Sequence, residues 1–258
     1  MIEKIFILEN PKIEGIENEK KKIEELLKSC GKIVENSPEN ADLIITLGGD
    51  GTILKAIHLL KNEKTLIYGI KYGKIGFLTN SPENVETKIK NILSGKYRVE
   101  RKTLFELYIK KNGDLFVDRV LNDFLIYRRG IRIVDIEIFC NEEKIMEFRG
   151  DGVIISTSTG STAHSLSAGG PIIEPNLECL LIIPICPYTL SIRPVILSSE
   201  KSIKIKVLQG GKIIADGQRE YNFEGEEICE IRKSRIKVNL ILEEDFFKKL
   251  KTKFNFGK

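Results

Sequence analysis

One glycine-rich stretch carries most of the information about the fold: TLGGDGTILKA, residues 46–56. The residues that lead into it, ADLIITL, are apolar and rich in β-branched side chains, which is typical of a buried strand. The residues that follow, TILKAIHLLK, place apolar side chains at helical spacing. The three glycines, Gly48, Gly49 and Gly51, are therefore predicted to form a strand-to-helix turn, because glycine permits positive φ and close approach of another molecule to the backbone.

This turn is predicted to bind an anion. Backbone N–H groups at a helix start, with the helix dipole behind them, favour an anion such as phosphate. We therefore expect Gly48, Gly49, Gly51 and Thr52 to form a phosphate-binding turn. Asp50 places a carboxylate in the same turn, so it has either a chemical role or the role of a helix cap.

The composition of the whole chain excludes several classes of protein. Its 258 residues can hold one large or two modest domains with a substantial core. Lys and Arg number 41 and Asp and Glu 37, a net charge of +4 without a dense basic tract, so we expect no nucleic-acid partner. Five scattered cysteines predict neither a disulfide framework nor a zinc site.

The apolar stretches of the chain bear on its cellular location. The N-terminal run MIEKIFILENPKIEG contains acidic residues, unlike a signal peptide. The longest apolar candidate, LECLLIIPICP, is too short to span a membrane and contains proline. We therefore expect a cytoplasmic protein without a membrane partner.

Residues 1–100 alternate between strand and helix patterns. KIFILE, ADLIITL and TLIYGI are typical of strands, and IENEKKKIEELLKSCG is typical of an amphipathic helix that Gly31 stops. SPENVETKIKNILSG predicts a helix with Ser81 as its N-cap and with Pro82 and Glu83 in its first turn. This alternation predicts an α/β nucleotide-binding domain, a parallel sheet covered by helices, that carries the glycine turn.

After residue 100 the pattern changes to strand, turn and strand. Hairpins are predicted around Asn112-Gly113-Asp114, at the turn NEEK of residues 141–144, and around Gly210-Gly211. Residues 101–235 are therefore expected to form a second, mainly β domain. The remaining residues, 236–258, contain a short helix in EEDFFKKLKTKFNFG, which we expect to pack back on the first domain.

Two further polar segments interrupt the β domain. LNDF contains the adjacent Asn122 and Asp123, and residues 148–173, FRGDGVIISTSTGSTAHSLSAGGPII, are rich in Ser, Thr and Gly. Small hydroxyl residues suit ribose hydroxyls, base edges and phosphates. Taken alone, Asn122 and Asp123 are more readily explained as a strand-end turn, and the longer segment is equally well explained as a surface turn that starts a helix.

The combination of these motifs closely resembles the NAD kinase family, whose members phosphorylate NAD to NADP. The motifs are GGDGT, LND, GDGVIISTSTGSTAHSLSAGGPI and PICPYTLSIRPVIL, and the resemblance extends from Asp42 to Gln218. The long serine-rich motif is highly specific, whereas diacylglycerol-kinase-type lipid kinases and phosphofructokinases carry turns similar to GGDGT. The resemblance implies an α/β domain and a mainly β domain with the active site between them. It also implies phosphorylation of the 2′-hydroxyl of the adenosine ribose, with ATP or polyphosphate as the donor.

The resemblance also implies roles for individual residues. Asp50 would accept the proton of the 2′-hydroxyl, Gly51 and its neighbours would hold phosphates, and Lys55 would point its ammonium at the same anions. Asn122 and Asp123 match the dinucleotide-contacting Asn-Glu pair of the family. Further matches to dinucleotide contacts are Arg149, Asp151, Thr162, Ala163, His164, Ser165, Leu166, Ser167 and Gln218. The metal would be Mg²⁺ delivered with ATP, and the assembly a homodimer or homotetramer.

Four positions depart from the family pattern. Asp123 replaces the usual glutamate, Ser158 a proline, His164 a tyrosine and Lys71 an asparagine. A lipid or sugar-phosphate kinase explains GGDGT but leaves the serine-rich segment without a role. A non-catalytic dinucleotide sensor, in which Asp50 only holds a ribose, stays open. The sequence decides neither between ATP and polyphosphate nor between NAD and NADH.

Overall fold

The computed structural model describes residues 2–73, 76–111, 114–225 and 227–255. The chain forms two compact units, one of residues 1–102 together with 236–258 and one of residues 103–235. None of the helices in these described ranges has the length and apolar character needed to cross a lipid bilayer.

The strands are β1 (Lys4–Glu9), β2 (Ile33–Glu35), β3 (Leu43–Gly48), β4 (Leu66–Lys71), β5 (Val99–Lys111), β6 (Asp114–Val120), β7 (Asp123–Tyr127), β8 (Val134–Cys140), β9 (Glu143–Gly150), β10 (Gly152–Thr157), β11 (Cys179–Ile185), β12 (Val195–Ser198), β13 (Ile203–Val207), β14 (Gly211–Ala215), β15 (Arg219–Phe223) and β16 (Cys229–Ile241). The α-helices are α1 (Ile16–Ser29), α2 (Asp50–Leu59), α3 (Val85–Leu93), α4 (His164–Ser167) and α5 (Phe246–Phe254). Short 3-10 helices cover Pro38–Asn40 and Thr159–Thr162.

The first unit is an α/β domain built on a parallel sheet, as the sequence predicts. The strand order is β2–β1–β3–β4 followed by the C-terminal part of β16, and the pairs along it are parallel. Every residue of β3 is buried, as expected of a central strand with both faces covered. The helix α1 buries Ile16, Ile23 and Leu27 along one stripe, and Gly31 follows its end with a φ of 71°, which confirms the predicted stop.

The prediction that Ser81 caps the third helix is wrong. The helix α3 begins at Val85, and its N-cap is Asn84 in the left-handed conformation. Asn80 exchanges backbone hydrogen bonds with Gly69 and Lys71, so the chain is still tied to β4 immediately before Ser81. The Ser81 hydroxyl instead accepts a hydrogen bond from the N–H of Glu83 at 3.3 Å, which makes a turn ahead of the helix.

The second unit consists mainly of two antiparallel sheets, which confirms the predicted β-rich class. One sheet contains β16–β13–β8–β9 and the hairpin β5–β6, and the other has the order β12–β11–β10–β7–β14–β15. Apolar side chains of both sheets form one core, in which Phe105 and Ile136 of the first sheet lie with Phe124, Val153 and Ile182 of the second. Alternation of inward and outward side chains, as in β8, accounts for this two-layer arrangement.

The hairpin predictions have different outcomes. β8 and β9 pair through a turn in which Asn141 and Glu142 both have positive φ, 48° and 73°, as a two-residue hairpin turn requires. β5 and β6 pair as far as Lys111 and Asp114, and Asn112 and Gly113 lie outside the described residues.

The hairpin predicted around Gly210-Gly211 is wrong, because the two strands belong to different sheets. β13 pairs with β8 and β16, whereas β14 pairs with β7 and β15. A Cβ on Gly210 would lie 2.7 Å from the Phe223 carbonyl oxygen, and one on Gly211 would lie 2.7 Å from that of Tyr127. Glycine is therefore needed at both positions, because backbone atoms of neighbouring strands come close to the chain where it passes from one sheet to the other.

Candidate functional site

The glycine turn lies at the carboxyl end of β3 in the first unit. Gly49 is the N-cap of α2 and Asp50 is the first helical residue. The N-cap residue Gly49 has no side chain with which to cap the helix, which suits an external anion. A Cβ on Gly48 would lie 2.2 Å from the hydroxyl oxygen of Thr52, so the turn requires glycine there. Gly51 and Lys55 are exposed, and Thr52 is buried.

The Asp50 carboxylate binds a different segment of the chain and does not cap its own helix. Its Oδ2 accepts a hydrogen bond from the N–H of Phe77 at 2.6 Å, and its Oδ1 accepts one from the N–H of Leu78 at 3.0 Å. The Thr79 hydroxyl lies 3.4 Å from Oδ1. A Cβ on Gly76 would lie only 1.9 Å from Oδ1. The turn of residues 76–79 therefore fixes the orientation of the carboxylate.

In the second unit, Asn122 and Asp123 lie where β7 begins. The Asp216 carboxylate accepts hydrogen bonds from three successive N–H groups there, those of Leu121 at 3.0 Å, Asn122 at 2.7 Å and Asp123 at 3.2 Å. The N–H of Asp216 in turn donates to the carbonyl of Asp123 at 2.9 Å. Asp216 thus holds the Asn122-Asp123 segment in place.

Asp123 is a buried carboxyl group. Its residue is 4% exposed, and burial, with the charge of Asp216 as a second cause, raises the pKa of Asp123 to about 7. Burial also raises the pKa of Asp216 to about 6, while its three N–H donors lower it. Because these donors stabilise the charged form of Asp216, Asp123 is the member of the pair that takes up a proton first as the pH falls.

The serine-rich segment packs directly against Asn122. The Thr157 hydroxyl donates to the carbonyl of Leu121 at 2.6 Å, and the N–H of Thr157 donates to that of Asn122 at 2.9 Å. A Cβ on Gly160 would lie 2.2 Å from the Asn122 carbonyl oxygen, so glycine is required for this approach. Asp216 begins the turn after β14, in which the N–H of Gln218 donates to the carbonyl of Ala215 at 2.9 Å. Three motifs that are distant in sequence therefore meet at one place.

The residues after Gly160 form two short helical turns. Thr162 ends a 3-10 helix, and His164 and Ser167 are the exposed ends of α4. Ser165 is fully buried and its hydroxyl oxygen has no hydrogen-bond partner among the described residues. Ser158, where the family pattern has proline, donates a hydrogen bond to the carbonyl of Pro175 at 3.2 Å. The serine that replaces the proline of the family pattern therefore adds one hydrogen bond within the serine-rich segment and its continuation.

Asp151 lies at the far end of β10 from Asn122, and Arg149 lies in β9, a strand of the other sheet. Gly152 pairs with Tyr127, whereas Ser156 pairs with Asp123, so Asp151 lies roughly 17 Å along the strand from the Asn122 end. Asp151 accepts a hydrogen bond from Arg128 Nε at 2.6 Å, and Arg149 forms an ion pair with Asp135 at 3.4 Å. Within this unit, the structure does not bring these two residues to Asn122 and Asp123.

Several contributors to the site were not predicted from the sequence. Asp216 and the turn of residues 76–79 act through backbone hydrogen bonds, which leave no motif in a single sequence. The Asp-Gly pair at residues 216–217 was a usable signal, because Asp216 has a φ of 50° that Asp tolerates better than most residues. Among the described residues, no group of three or more His, Cys, Asp or Glu could hold a metal ion.

Comparison with known proteins identifies the family. The model of the ATP-NAD kinase N-terminal domain matches residues 7–97, and that of the ATP-NAD kinase C-terminal domain matches residues 121–242. An NAD kinase of Methanothermobacter thermautotrophicus is 41% identical over 237 residues, 90% of this chain and 82% of the relative. An NAD kinase of Geobacter metallireducens is 36% identical over 88% of this chain and 83% of the relative.

Solved structures agree with this assignment. A crystal structure of an NAD kinase from Archaeoglobus fulgidus in complex with ATP superposes with a TM-score of 0.80 at 32% identity, covering 98% of this chain and 97% of that one. Yeast NADH kinase complexed with NADH shows the same fold, with a TM-score of 0.93 at 23% identity over 100% of this chain and 89% of that one. The chain therefore belongs to the ATP-NAD kinase family, whose members transfer a phosphoryl group from ATP to NAD and so make NADP.

Proposed function

We propose that Asp50 is the general base of this phosphoryl transfer. Asp50 takes the proton of the adenosine-ribose 2′-hydroxyl while the ribose oxygen bonds to the γ-phosphorus of ATP. The bond from that phosphorus to the β,γ-bridging oxygen then breaks and ADP leaves. The observation that carries this proposal is the fixed carboxylate of Asp50, bound by the N–H groups of Phe77 and Leu78, at the start of a helix whose N-cap residue is glycine.

The donor phosphates are proposed to bind at the glycine turn. Gly48, Gly49, Gly51 and Thr52 provide backbone at the start of α2, where the helix dipole favours an anion. Lys55 lies one turn further along the same helix and is exposed, so its ammonium is available to the phosphates. ATP and inorganic polyphosphate present similar anions to such a turn, and the choice between them stays a prediction to be tested.

NAD is proposed to bind at the cluster around Asn122 and Asp123. The support is the buried Asp123 carboxyl group, for which none of the described residues donates a side-chain hydrogen bond. A ribose hydroxyl or an adenine amino group supplies such a donor. Further proposed contacts are Thr162, Ala163, His164, Ser165, Leu166, Ser167 and Gln218, and Arg149 and Asp151 stay predictions.

Magnesium is the proposed metal. Mg²⁺ usually binds through substrate phosphates and water with few protein ligands, so the ion would arrive on the ATP phosphates at the glycine turn, while the Asp50 carboxylate stays bound to the N–H groups of Phe77 and Leu78. The ion supplies neutralisation of phosphate charge in the transition state. The enzyme's own residues orient the hydroxyl, accept its proton and hold the phosphates.

A homo-oligomer and a cytoplasmic location complete the proposal. The oligomer is supported by exposed apolar side chains near the end strand β12, namely Tyr188, Leu190 and Ile196. The location stays a prediction from the sequence.

The test is an assay with each donor and each nicotinamide substrate. The protein is incubated with Mg²⁺, NAD or NADH, and ATP or polyphosphate, and the phosphorylated product is measured with an NADP-specific dehydrogenase. We expect NADP from NAD and ATP, with loss of activity on removing Mg²⁺. Binding of NAD without product from any donor would support the dinucleotide-sensor alternative instead.

A further inference from the structure

A buried lysine lies behind the turn that fixes Asp50. Lys249 is on α5, where the Asp245 side chain accepts a hydrogen bond from the N–H of Lys248 at 2.8 Å and so caps the helix. Lys249 is only 6% exposed, although lysine is almost never fully buried without partners. A buried ammonium group therefore requires hydrogen-bond acceptors at its end.

The acceptors of Lys249 belong to the same turn that binds Asp50. Its Nζ donates to the carbonyl of Phe77 at 2.7 Å and to that of Thr79 at 3.2 Å. The carbonyl of Phe77 and the N–H of Leu78 form one peptide group, and that N–H donates to Asp50 Oδ1 at 3.0 Å. One peptide group is thus hydrogen-bonded to the lysine at one end and to the aspartate at the other.

The hydrogen bonds from Lys249 to the peptide group and from the peptide group to Asp50 polarise each other in the same direction. A cation at the carbonyl end draws electron density from the N–H end, so the N–H becomes a better donor to the carboxylate, and hydrogen bonds in such chains strengthen one another. Burial lowers the pKa of Lys249, while the charges of Asp50, Glu100 and Glu244 raise it and that of Lys102 lowers it. The charges of Lys249 and Asp50 therefore stabilise each other.

The turn does not depend on Lys249 alone for its packing. The Phe77 ring lies 6.3 Å from that of Phe246 and 5.4 Å from that of Phe254, measured between centroids. Aromatic packing against α5 therefore holds Phe77 independently of the ammonium group. Removing the ammonium group would leave the carbonyls of Phe77 and Thr79 without this donor, which costs stability, so a change at Lys249 can affect both stability and the position of the turn.

We propose that Lys249 is a positioning residue for the reaction, and that it sets the orientation of the Asp50 carboxylate through the Phe77–Leu78 peptide group. This inference rests on the proposed role of Asp50 as general base. In this role Lys249 contacts neither the substrate nor the reacting atoms. It acts through a backbone turn that also requires glycine at residue 76, beside the Asp50 oxygen.

The test compares Lys249→Met with Lys248→Met and Lys249→Arg. Lys248 is the neighbouring lysine on the same helix and pairs with Glu244 at 2.8 Å on the exposed side, so its loss should change little. For Lys249→Met we expect kcat to fall about tenfold to a hundredfold, since small misplacements of catalytic groups have effects of that size. KM for NAD and ATP should stay within about twofold, and Lys249→Arg should recover most of kcat because it retains the donors.

A double-mutant cycle with Asp50→Asn separates this role from a structural one. If Lys249 acts through Asp50, the Lys249→Met change should lower kcat much less in the Asp50→Asn background than in the wild type. Equal losses in both backgrounds would overturn the inference, as would a Lys249→Met enzyme that melts at lower temperature but turns over like Lys248→Met. Should Lys249→Met fail to fold, Lys249→Gln replaces it in the cycle under the same criteria.

The same cycle distinguishes the two levels of the proposal. If Asp50→Asn lowers kcat strongly but Lys249→Met does not, the general-base proposal stands and the inference about Lys249 fails. If Asp50→Asn turns over like the wild type, the general-base proposal itself fails, and the inference fails with it.

Discussion

At the scale of single residues, Asp50→Asn tests the proposed chemistry most directly. The change keeps the size of the side chain but removes the proton acceptor, and the amide can accept only one of the two N–H bonds that fix the carboxylate, so kcat should fall about 10²–10⁴-fold or more. Affinity for NAD should change far less, and ATP should bind no more weakly, because a negative charge near its phosphates is removed. Steady-state kinetics and calorimetry measure these effects.

A matched control exists at another helix start. Asp245 caps α5 through its side chain, and asparagine caps a helix about as well as aspartate, so Asp245→Asn should leave both kcat and stability nearly unchanged. If Asp50→Asn behaved like this control, with turnover close to that of the wild type, Asp50 would have no catalytic role.

The buried Asp123 leads to a prediction about pH. Its pKa is raised to about 7 in the folded protein, so the folded state binds the proton more tightly than the unfolded state does. The contribution of Asp123 to the free energy of unfolding should therefore fall as the pH rises from about 4 through 7, by at least about 1.4 kcal/mol, the equivalent of one pKa unit. Thermal unfolding between pH 4 and 8 measures this.

Asp123→Asn removes the titrating group while preserving its shape. We expect the melting temperature of the variant, measured relative to that of the wild type, to rise between pH 4 and 8, so that the variant is the more stable protein at pH 8. Glu220→Gln is a control in the same unit, because the Glu220 side chain is 51% exposed and pairs with Lys212 at 3.3 Å. A difference in melting temperature between Asp123→Asn and the wild type that stays constant from pH 4 to 8 would contradict the assignment.

At the scale of elements, the turn of residues 76–79 should be intolerant of a single methyl group. The Cβ added in Gly76→Ala would lie 1.9 Å from Asp50 Oδ1, so either the carboxylate or the turn must move. We expect kcat to fall at least tenfold with little change in NAD affinity. In Gly130→Ala, the added Cβ meets nothing within 4 Å, and this control should match the wild type. Unchanged turnover in Gly76→Ala would show that the orientation of Asp50 is unimportant.

The elements also show what a single sequence can and cannot predict. The buried strand β3, the helix α1 and the turn between β3 and α2 follow from local periodicity and from glycine, so they are predictable. The separation of β13 and β14 into different sheets is not, because strand pairing is decided by partners far along the chain. The same reason hides the partners of Asp50, which lie 27 and 28 residues away.

Lys249 was closer to being predictable than Asp216. It lies beside Leu250 in a helix in which Lys248 and Lys251 are exposed and Lys253 is half-buried. A lysine at a position of the apolar face is therefore visible in the periodicity of α5. The purpose of that lysine is not visible, since its acceptors are backbone carbonyls of a distant turn. A charged residue at an inward helical position is thus a signal that needs a structure to interpret.

At the scale of the whole molecule, the exposed apolar residues before and within β12 predict self-association. Tyr188 is 79% exposed, Leu190 84% and Ile196 48%, and β12 is an end strand with one unpaired edge. Burying such a surface against a second copy, in a closed symmetric assembly, removes both the apolar area and the open edge from water. We expect the wild type to sediment as a dimer or tetramer of the 29.3 kDa chain.

The variant Leu190→Lys combined with Ile196→Lys should shift the sedimenting species toward the monomer. A charge placed in the centre of an interface must be desolvated without a partner, which typically opposes association by several kcal/mol. The folded monomer should keep its stability, since both side chains are already in contact with solvent. Leu115→Lys, at another exposed leucine that is 64% accessible, should leave the assembly intact. A wild-type chain that sediments as a monomer, or a double variant that sediments like the wild type, would place the interface elsewhere or show that none forms.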